Sequence, residues 1–172
     1  MKLNIGCGTD YREGFVNIDG SKNLPKIDQV IDISAESLLT YFNPGTIEYI
    51  LANDIIEHHF HWEAVRLLTE FFTLLKTDGI VEIRVPDIEY IIKSWRFWRS
   101  PIEKKIVMLY GGQDLPQGND IAMNESRKKF PQFFCHKYGY SMQSMKQELE
   151  KIGFRSIKSK RAGTNFVTYA IK

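Results

Sequence analysis

The 172-residue chain has few cysteines, no long apolar run and little net charge. Cys7 and Cys135 have neither metal-ligand spacing nor the density of a disulfide scaffold, which suits a reducing compartment. No apolar run approaches about 18 residues and no signal-peptide core follows Met1, so we expect no membrane span and a cytoplasmic location. A net charge of +2 is too small to indicate nucleic acid as a partner.

Neither an internal repeat nor a low-complexity tract divides the chain. With 172 residues, 43% of them hydrophobic, it is large enough to bury one full core and small for two. We therefore expect a single domain over residues 1–172.

The most informative stretch is the N-terminal one. A short apolar run, Leu3 to Ile5, ends in Gly6 and Gly8, which is typical of a buried strand followed by a tight glycine turn. Glycine suits this turn because only a residue without Cβ lets the backbone pass a ligand closely. A second apolar run carries Asp19 at its C-terminal end. A carboxylate there can accept both hydroxyls of a ribose that lies across two parallel strand ends.

The rest of the chain alternates between strand and helix patterns. Strand patterns cover 30–33, 46–52, 80–85, 154–159 and 165–171, the last two as a hairpin, and helix patterns cover 61–76, 88–98 and 141–152. This alternation predicts an α/β fold with a largely parallel sheet. Residues 95–134 form a long, irregular insert, and such an insert in a compact domain is usually a lid, a substrate-binding element or a contact surface.

Asp32, near the end of the third predicted strand, has two interpretations. Its carboxylate can accept from an adenine amino group while a neighbouring backbone N–H reads the ring. It can also cap a helix over 35–39, because Asp32 and Ser34 precede that segment. The two roles are compatible.

Histidine is the side chain whose pKa lies nearest neutrality, which makes it the natural candidate for a general base. The candidates are His58, His59, His61 and His136. His58 is placed best, directly after Glu57 beside the end of the fourth strand, and His136 is second because it lies where the insert rejoins the fold. Alternatively, the segment around His58 only caps and orients the following helix.

A metal site is the other use for these residues. Asp54 with His58, or Glu57 with His61, has the i,i+4 spacing that places two side chains on one helix face. No distant third ligand is evident in the sequence, so we expect no metal site.

Several ordered segments together resemble the class I S-adenosylmethionine-dependent methyltransferases, particularly their small Methyltransf-11/23-like group. The segments that carry the resemblance are 3–8, 16–19, 32–33, 51–58, 74–79, 82–87, 136–141 and 153–154. The resemblance implies a Rossmann-like α/β fold with a mostly parallel seven-stranded sheet whose last strand is antiparallel. It also implies S-adenosylmethionine as the cofactor.

The same resemblance implies which residues contact the cofactor. These positions are Gly6, Cys7, Gly8, Tyr11, Asp19, Gly20, Asp32, Ile33, Asn53 and Asp54. The backbone of the glycine turn would lie close to the methionine portion, and Asp19 would accept hydrogen bonds from the ribose hydroxyls. Asp32 and Ile33 would lie on either side of the adenine. Asn53 and Asp54 would approach the methionine portion or the methyl-transfer position.

The chain departs from the family between Gly8 and Asp19. Only ten residues separate the two, whereas the family places a full helix there and a spacing of about twenty. A parallel crossover usually needs about a dozen residues or more. We therefore expect the helix to be missing or reduced to a turn, with Tyr11 or Arg12 meeting the cofactor carboxylate.

These features favour methyl transfer from S-adenosylmethionine to an oxygen or nitrogen of a small-molecule or glycan-type acceptor. A nicotinamide-dependent oxidoreductase is disfavoured, because Tyr11 stands where Gly-x-Gly-x-x-Gly needs its third glycine. The remaining alternative is a non-catalytic cofactor-binding or interaction module with a degenerate methyltransferase fold.

Two features of the insert bear on the acceptor. Trp95, Phe97 and Trp98 either pack an amphipathic helix or form an aromatic wall for the acceptor. The basic run 127–129 is either a solvated face or a surface that attracts an anionic acceptor.

Overall fold

A computed structural model describes residues 1–94 and 99–172 of the chain. The strands in this part are β1 Lys2–Ile5, β2 Val16–Asp19, β3 Gln29–Val30, β4 Ile47–Asn53, β5 Leu75–Pro86, β6 Arg155–Ala162 and β7 Asn165–Ile171. They form one seven-stranded sheet in the order β3-β2-β1-β4-β5-β7-β6.

The pairing of the strands confirms the predicted sheet. β1 pairs in parallel with β2 and β4, and the outer pairs β2–β3 and β4–β5 are parallel as well. β7 is antiparallel to both β5 and β6, so the last strand runs against the others. The chain leaves β1 towards β2 on one side and later returns to β4 on the other. Open α/β sheets bind ligands at this reversal, beyond the carboxyl ends of the strands.

Helices and 3-10 turns fill the connections. The α-helices are α1 His61–Leu74, α2 Ile88–Lys93, α3 Ile102–Tyr110, α4 Ile121–Lys129 and α5 Met142–Ile152. The 3-10 turns are Leu38–Thr40, Ile56–His58 and Pro131–Phe134. Among the described residues, no helix is long and apolar enough to cross a membrane.

The core lies between the sheet and the buried faces of α1 and α5. α1 contributes apolar side chains at a helical spacing, among them Leu67, Leu68 and Phe71, all fully buried. α5 contributes Met145 and Leu149. Burying such a side chain stabilises the fold by about 1.5–3 kcal/mol each, so these contacts hold the sheet and its strand ends in place.

The first crossover has no helix, as predicted. Residues 6–15 form turns and loop, and two buried asparagines hold them. Asn4 donates through Nδ2 to the Asp10 carbonyl at 2.7 Å and to Asn17 Oδ1 at 3.0 Å. Asn17 Oδ1 also accepts the Arg12 N–H at 2.9 Å, and its Nδ2 donates to the carbonyls of Arg12 and Phe15. Side-chain amides on β1 and β2 thus satisfy backbone groups that a helix would have satisfied internally.

Several predicted boundaries were wrong. β3 is shorter than predicted. β5 begins at Leu75, because that residue already pairs with Ile47 on β4. The segment 35–39 is not a helix capped by Asp32. Ser37 instead caps a 3-10 turn, and Asp32 Oδ1 accepts the Ser34 N–H at 3.0 Å.

The helix predicted over 88–98 is observed over Ile88–Lys93. The last part of that prediction, with the aromatic cluster Trp95, Phe97 and Trp98, lies outside the described residues.

Candidate cofactor and acceptor site

A cavity of about 330 Å³ lies beyond the carboxyl ends of β1, β2 and β4. Ten of the predicted site residues line it: Gly6, Cys7, Gly8, Asp19, Gly20, Asp32, Ile33, Asn53, Asp54 and His58. Small-molecule sites have volumes of about 300–1,000 Å³. The fold therefore assembles most of the predicted cofactor residues around one space suited to a small ligand.

The glycine turn forms the floor of this cavity. Gly6 and Gly8 have φ angles of +65° and +53°. A Cβ on Gly6 would lie 2.7 Å from the Ile55 side chain, so both the backbone angle and the packing require glycine there. Burial raises the pKa of the Cys7 thiol to about 12, with a smaller contribution from Asp19. Cys7 therefore stays a neutral thiol in the cavity wall.

Asp19 connects the glycine turn to the end of β2. Its Oδ2 accepts the Gly8 N–H at 2.9 Å and its Oδ1 accepts the Ser21 N–H at 2.9 Å. Burial raises the pKa of this carboxyl, while these backbone hydrogen bonds oppose the rise. A carboxylate oxygen can accept more than one hydrogen bond, so Asp19 retains acceptor capacity for a ligand hydroxyl.

The wall beside β3 is apolar, with an acid at its edge. Leu24, Ile31 and Ile33 are buried and line the cavity together with Asp32. This combination suits a flat ring that carries a polar edge, the environment expected for the adenine.

The end of β4 brings an amide and an ion pair to the cavity. Asn53 Oδ1 is buried and has no hydrogen-bond partner within residues 1–94 and 99–172. Asp54 has a positive φ of 52°, and its carboxylate is held by Arg84 and by Asn165 Nδ2 at 2.9 Å. Asp54 therefore orients Arg84, while Asn53 retains an acceptor for a donor on a ligand.

Two of the four histidines come together. The rings of His58 and His136 are 5.0 Å apart between centroids. His58 Nδ1 lies 3.0 Å from the Cys135 carbonyl oxygen, and His136 Nδ1 lies 3.1 Å from the Met108 carbonyl oxygen. A carbonyl can only accept, so each Nδ1 carries a hydrogen and each Nε2 keeps a free lone pair.

The environment of this pair keeps both rings neutral. Burial lowers the pKa of His58 to about 3, and the neighbouring His136 contributes to that shift. Burial likewise lowers the pKa of His136. Glu57, fully enclosed beside them, has its pKa raised well above the usual value by burial and by Asp54. The sequence suggested Asp54 with His58, or Glu57 with His61, as neighbours, whereas the tertiary structure groups Glu57 and His58 with the distant His136.

Three predicted candidates lie elsewhere, and a fourth, His59, lines the cavity with both ring nitrogens next to protein atoms. His59 Nδ1 lies 2.9 Å from the Ile55 carbonyl oxygen, and its Nε2 lies 3.3 Å from Ser34 Oγ. His61 faces Glu148 at 3.2 Å on the surface. Tyr11 does not line the cavity, since its hydroxyl donates to Asp28 at 3.1 Å. Arg12 pairs with Asp10 at 2.8 Å. Neither Tyr11 nor Arg12, the residues predicted to meet the cofactor carboxylate, lines the cavity.

Residues 123–134, from the later part of the insert, contribute one wall of the cavity. Sequence reasoning missed the insert residues in this wall, which are Met123, Ser126, Phe133 and Phe134. Ser126 Oγ lies 3.2 Å from Ser21 Oγ, and Thr9 Oγ1 donates to Asp120 Oδ2 at 2.7 Å. These contacts tie α4 to the loops after β1 and β2. The sequence carried no signal for them, because they join segments distant along the chain.

Arg127 places a cation in this wall. Its guanidinium lies 4.3 Å from the centroid of the Phe134 ring. Its Nε is buried without a hydrogen-bond partner in the described part of the chain, and no carboxylate there forms a salt bridge with it. Lys128 and Lys129 are exposed, so these two residues of the basic run 127–129 form a solvated face. Arg127 does not belong to that face, because it lines the cavity.

No family model matches this chain, and no curated protein sequence matches it either. Solved structures do match. A SAM-dependent methyltransferase from Archaeoglobus fulgidus has a TM-score of 0.65 and 13% identity, over 99% of this chain and 85% of that one. A possible histamine N-methyltransferase from Thermotoga maritima has a TM-score of 0.61 and 13% identity, over 99% of this chain and 81% of that one.

A third similar structure contains ligands. It is the 1,6-didemethyltoxoflavin-N1-methyltransferase of Burkholderia thailandensis, with bound 1,6-didemethyltoxoflavin and S-adenosylhomocysteine. Its TM-score is 0.62 at 13% identity, over 99% of this chain and 70% of that one. Together these likenesses show that the chain has the Rossmann-like fold of S-adenosylmethionine-dependent methyltransferases.

Proposed function

We propose that the chain is an S-adenosylmethionine-dependent methyltransferase that acts on a small-molecule or glycan-type acceptor. The observation that carries this proposal is the cavity at the sheet reversal, where the glycine turn, Asp19 and Asp32 face one space. In a Rossmann-like sheet, these are the positions that a nucleoside-containing ligand occupies.

The residues present fit that cofactor. Gly6 leaves no room for a Cβ, so the backbone of the turn can approach the ligand closely. Asp19 has acceptor capacity for ribose hydroxyls, and the buried Asn53 Oδ1 lacks a donor within the described chain. The apolar wall with Asp32 at its edge suits the adenine.

Methyl transfer needs alignment more than it needs a strong catalyst. When bound, S-adenosylmethionine supplies an activated methyl group: the acceptor lone pair bonds to the methyl carbon as the carbon–sulfur bond breaks, and that electron pair stays on sulfur. The walls align the acceptor and exclude water, and positioning alone can supply much of the acceleration. His58 lines the cavity with a free Nε2 lone pair. Its lowered pKa makes it a weak base, so we propose that it first accepts a hydrogen bond from the acceptor and takes the acceptor proton only as the methyl group arrives, with His136 behind it.

Arg127 and the insert suit the acceptor side. The guanidinium of Arg127 faces the cavity and forms no salt bridge among the described residues. A half-buried cation without a counterion among the described residues favours a ligand that brings negative charge. We therefore expect acceptors with a carboxylate or phosphate group to bind better than neutral analogues.

Calorimetric titration with S-adenosylmethionine and S-adenosylhomocysteine tests the cofactor assignment. We expect micromolar binding, weakened about 10- to 100-fold in Asp19→Asn, because that change replaces the carboxylate that ribose hydroxyls would use. Glu13→Ala removes an exposed carboxylate and serves as the control. Wild-type protein that binds neither compound would contradict the proposal.

Turnover separates an enzyme from a module that only binds the cofactor. The shortened crossover at 6–15 is the feature that favours such a module. Formation of S-adenosylhomocysteine should be followed with a panel of hydroxylated, amino and sugar acceptors. Tight cofactor binding without turnover on any panel member would favour the non-catalytic module.

A further inference from the structure

We propose that Glu57, His58 and His136 form a binding site for a divalent transition-metal ion. One potential ligand atom from each of the three lies within 4.8 Å of the others. Two imidazoles and one carboxylate are a donor set that binds Zn²⁺ and related first-row ions. Mg²⁺ and Ca²⁺ prefer oxygen ligands alone, so the site favours the transition metals.

The two histidines are already oriented as metal ligands. Nδ1 of His58 is held by the Cys135 carbonyl and Nδ1 of His136 by the Met108 carbonyl, at 3.0 and 3.1 Å. Metal-bound histidines usually donate their other ring nitrogen to a carbonyl or carboxylate in this way, which fixes the tautomer and the direction of the ring. Both Nε2 lone pairs are therefore available to an ion without any change of tautomer.

Glu57 supplies an independent indication. Its side chain is buried, and Oε2 has no hydrogen-bond partner within residues 1–94 and 99–172. A buried carboxylate oxygen without a partner is costly, and a cation beside it would remove that cost. The backbone also fixes the cluster, since the Glu57 carbonyl accepts the Lys137 N–H at 2.8 Å. Glu57 and His136 are therefore held in one place although they are distant along the chain.

The charges around the cluster are mixed, and its ligand atoms must move closer together when a metal ion binds. Asp54 adds negative charge near Glu57 and His136, while Arg84 and Arg127 add positive charge. Metal–ligand bonds of about 2.1 Å place tetrahedral donor atoms about 3.4 Å apart. The three side chains would therefore close inward on binding, by small rotations of the histidine rings and the Glu57 carboxylate.

The site has a consequence for the acceptor, which rests on the proposed function. His58 lines the cavity, so coordination positions left open by the three ligands would face the acceptor. The ion would lower the pKa of a bound acceptor hydroxyl, which would then release its proton to solvent, and the His58 lone pair would bind the ion and not that proton. This favours acceptors whose reactive oxygen has a second ligating group beside it.

Cobalt titration of the chelator-treated, full-length chain tests the site. Co²⁺ bound by histidine and carboxylate gives visible absorption bands, and Zn²⁺ should displace it. We expect one Co²⁺ per chain, and we expect Glu57→Gln and His136→Ala each to weaken binding at least tenfold. His61→Ala removes an exposed histidine outside the cluster and should leave Co²⁺ affinity unchanged.

Thermal unfolding with and without Zn²⁺ provides a second readout. Zn²⁺ should raise the melting temperature of the wild type but not of Glu57→Gln, whose metal-free melting temperature also reports whether it folds. Absence of Co²⁺ and Zn²⁺ binding would overturn the metal site, as would equal losses in His61→Ala. Titration with S-adenosylmethionine distinguishes the two proposals, because cofactor binding without metal binding would remove only the metal site.

Discussion

Replacing Asn17 with alanine should destabilise the protein strongly, because its side chain takes the place of the missing first helix. Asn17 is fully buried on β2. Its Oδ1 accepts from Asn4 Nδ2 at 3.0 Å and from the Arg12 N–H at 2.9 Å. Its Nδ2 donates to the Asp28 carboxylate at 2.9 Å, in addition to the carbonyls of Arg12 and Phe15.

The expected magnitude follows from these bonds. A typical hydrogen bond contributes about 0.5–1.5 kcal/mol net, and a buried donor left without a partner costs about 1–3 kcal/mol. Asn17→Ala removes several bonds and leaves the Arg12 N–H without its acceptor. We expect a loss of about 3–5 kcal/mol in the free energy of unfolding. At roughly 2–4 °C per kcal/mol for a domain of this size, the melting temperature should fall by about 10 °C.

Urea unfolding followed by circular dichroism measures this change. Gln147→Ala is the matched control, since it deletes an amide from the exposed face of α5 and should change stability by about 0.5 kcal/mol or less. A loss below about 1 kcal/mol in Asn17→Ala would refute the reasoning, because it would mean that the crossover loop does not depend on this amide. The variant should also bind S-adenosylmethionine more weakly, as the loop continues from the glycine turn.

Three further changes have predicted outcomes. Gly6→Ala should weaken S-adenosylmethionine binding at least tenfold in calorimetry, because its Cβ would lie 2.7 Å from Ile55 at a φ of +65°; unchanged affinity would show that the turn is not close to the ligand. Asp120→Ala removes both the cap of α4 and the acceptor of the Thr9 hydroxyl, so S-adenosylhomocysteine should dissociate faster in stopped-flow measurements. Thr9→Val removes only the Thr9–Asp120 hydrogen bond and should have a smaller effect on that rate. Phe71→Ala should lower the free energy of unfolding by about 3–5 kcal/mol in urea, and a loss under 1 kcal/mol would contradict its place in the core.

Much of the fold and half of the site were predictable because their signals are local. Leu3 to Ile5 followed by Gly6 reads as a strand and a turn within a few residues, and Asp19 ends the next apolar run. In a parallel sheet such strand ends meet at one edge, so a one-dimensional pattern was enough to place them together. The helix pattern over 141–152 was equally local and was confirmed as α5, which Ser141 caps and Gly153 ends.

Boundaries failed where pairing overrode local preference. The helix pattern over 61–76 extends past the observed end of α1 at Leu74, because Leu75 pairs with Ile47 on β4 and begins β5. In the segment after Asp32, a 3-10 turn takes the place of the predicted helix, and the Ser37 side chain caps it by accepting the Leu39 N–H.

By itself, the sequence determined the α/β alternation, the glycine turn with Asp19, and the absence of a helix between β1 and β2. Only the tertiary structure decided that His136 meets Glu57 and His58, and that Arg127 enters the cavity wall. The physical reason is the range of the interactions. Backbone turns and amphipathic faces depend on neighbours a few residues away, whereas a cluster or a lid depends on how distant segments pack, and neither residue spacing nor composition encodes that packing.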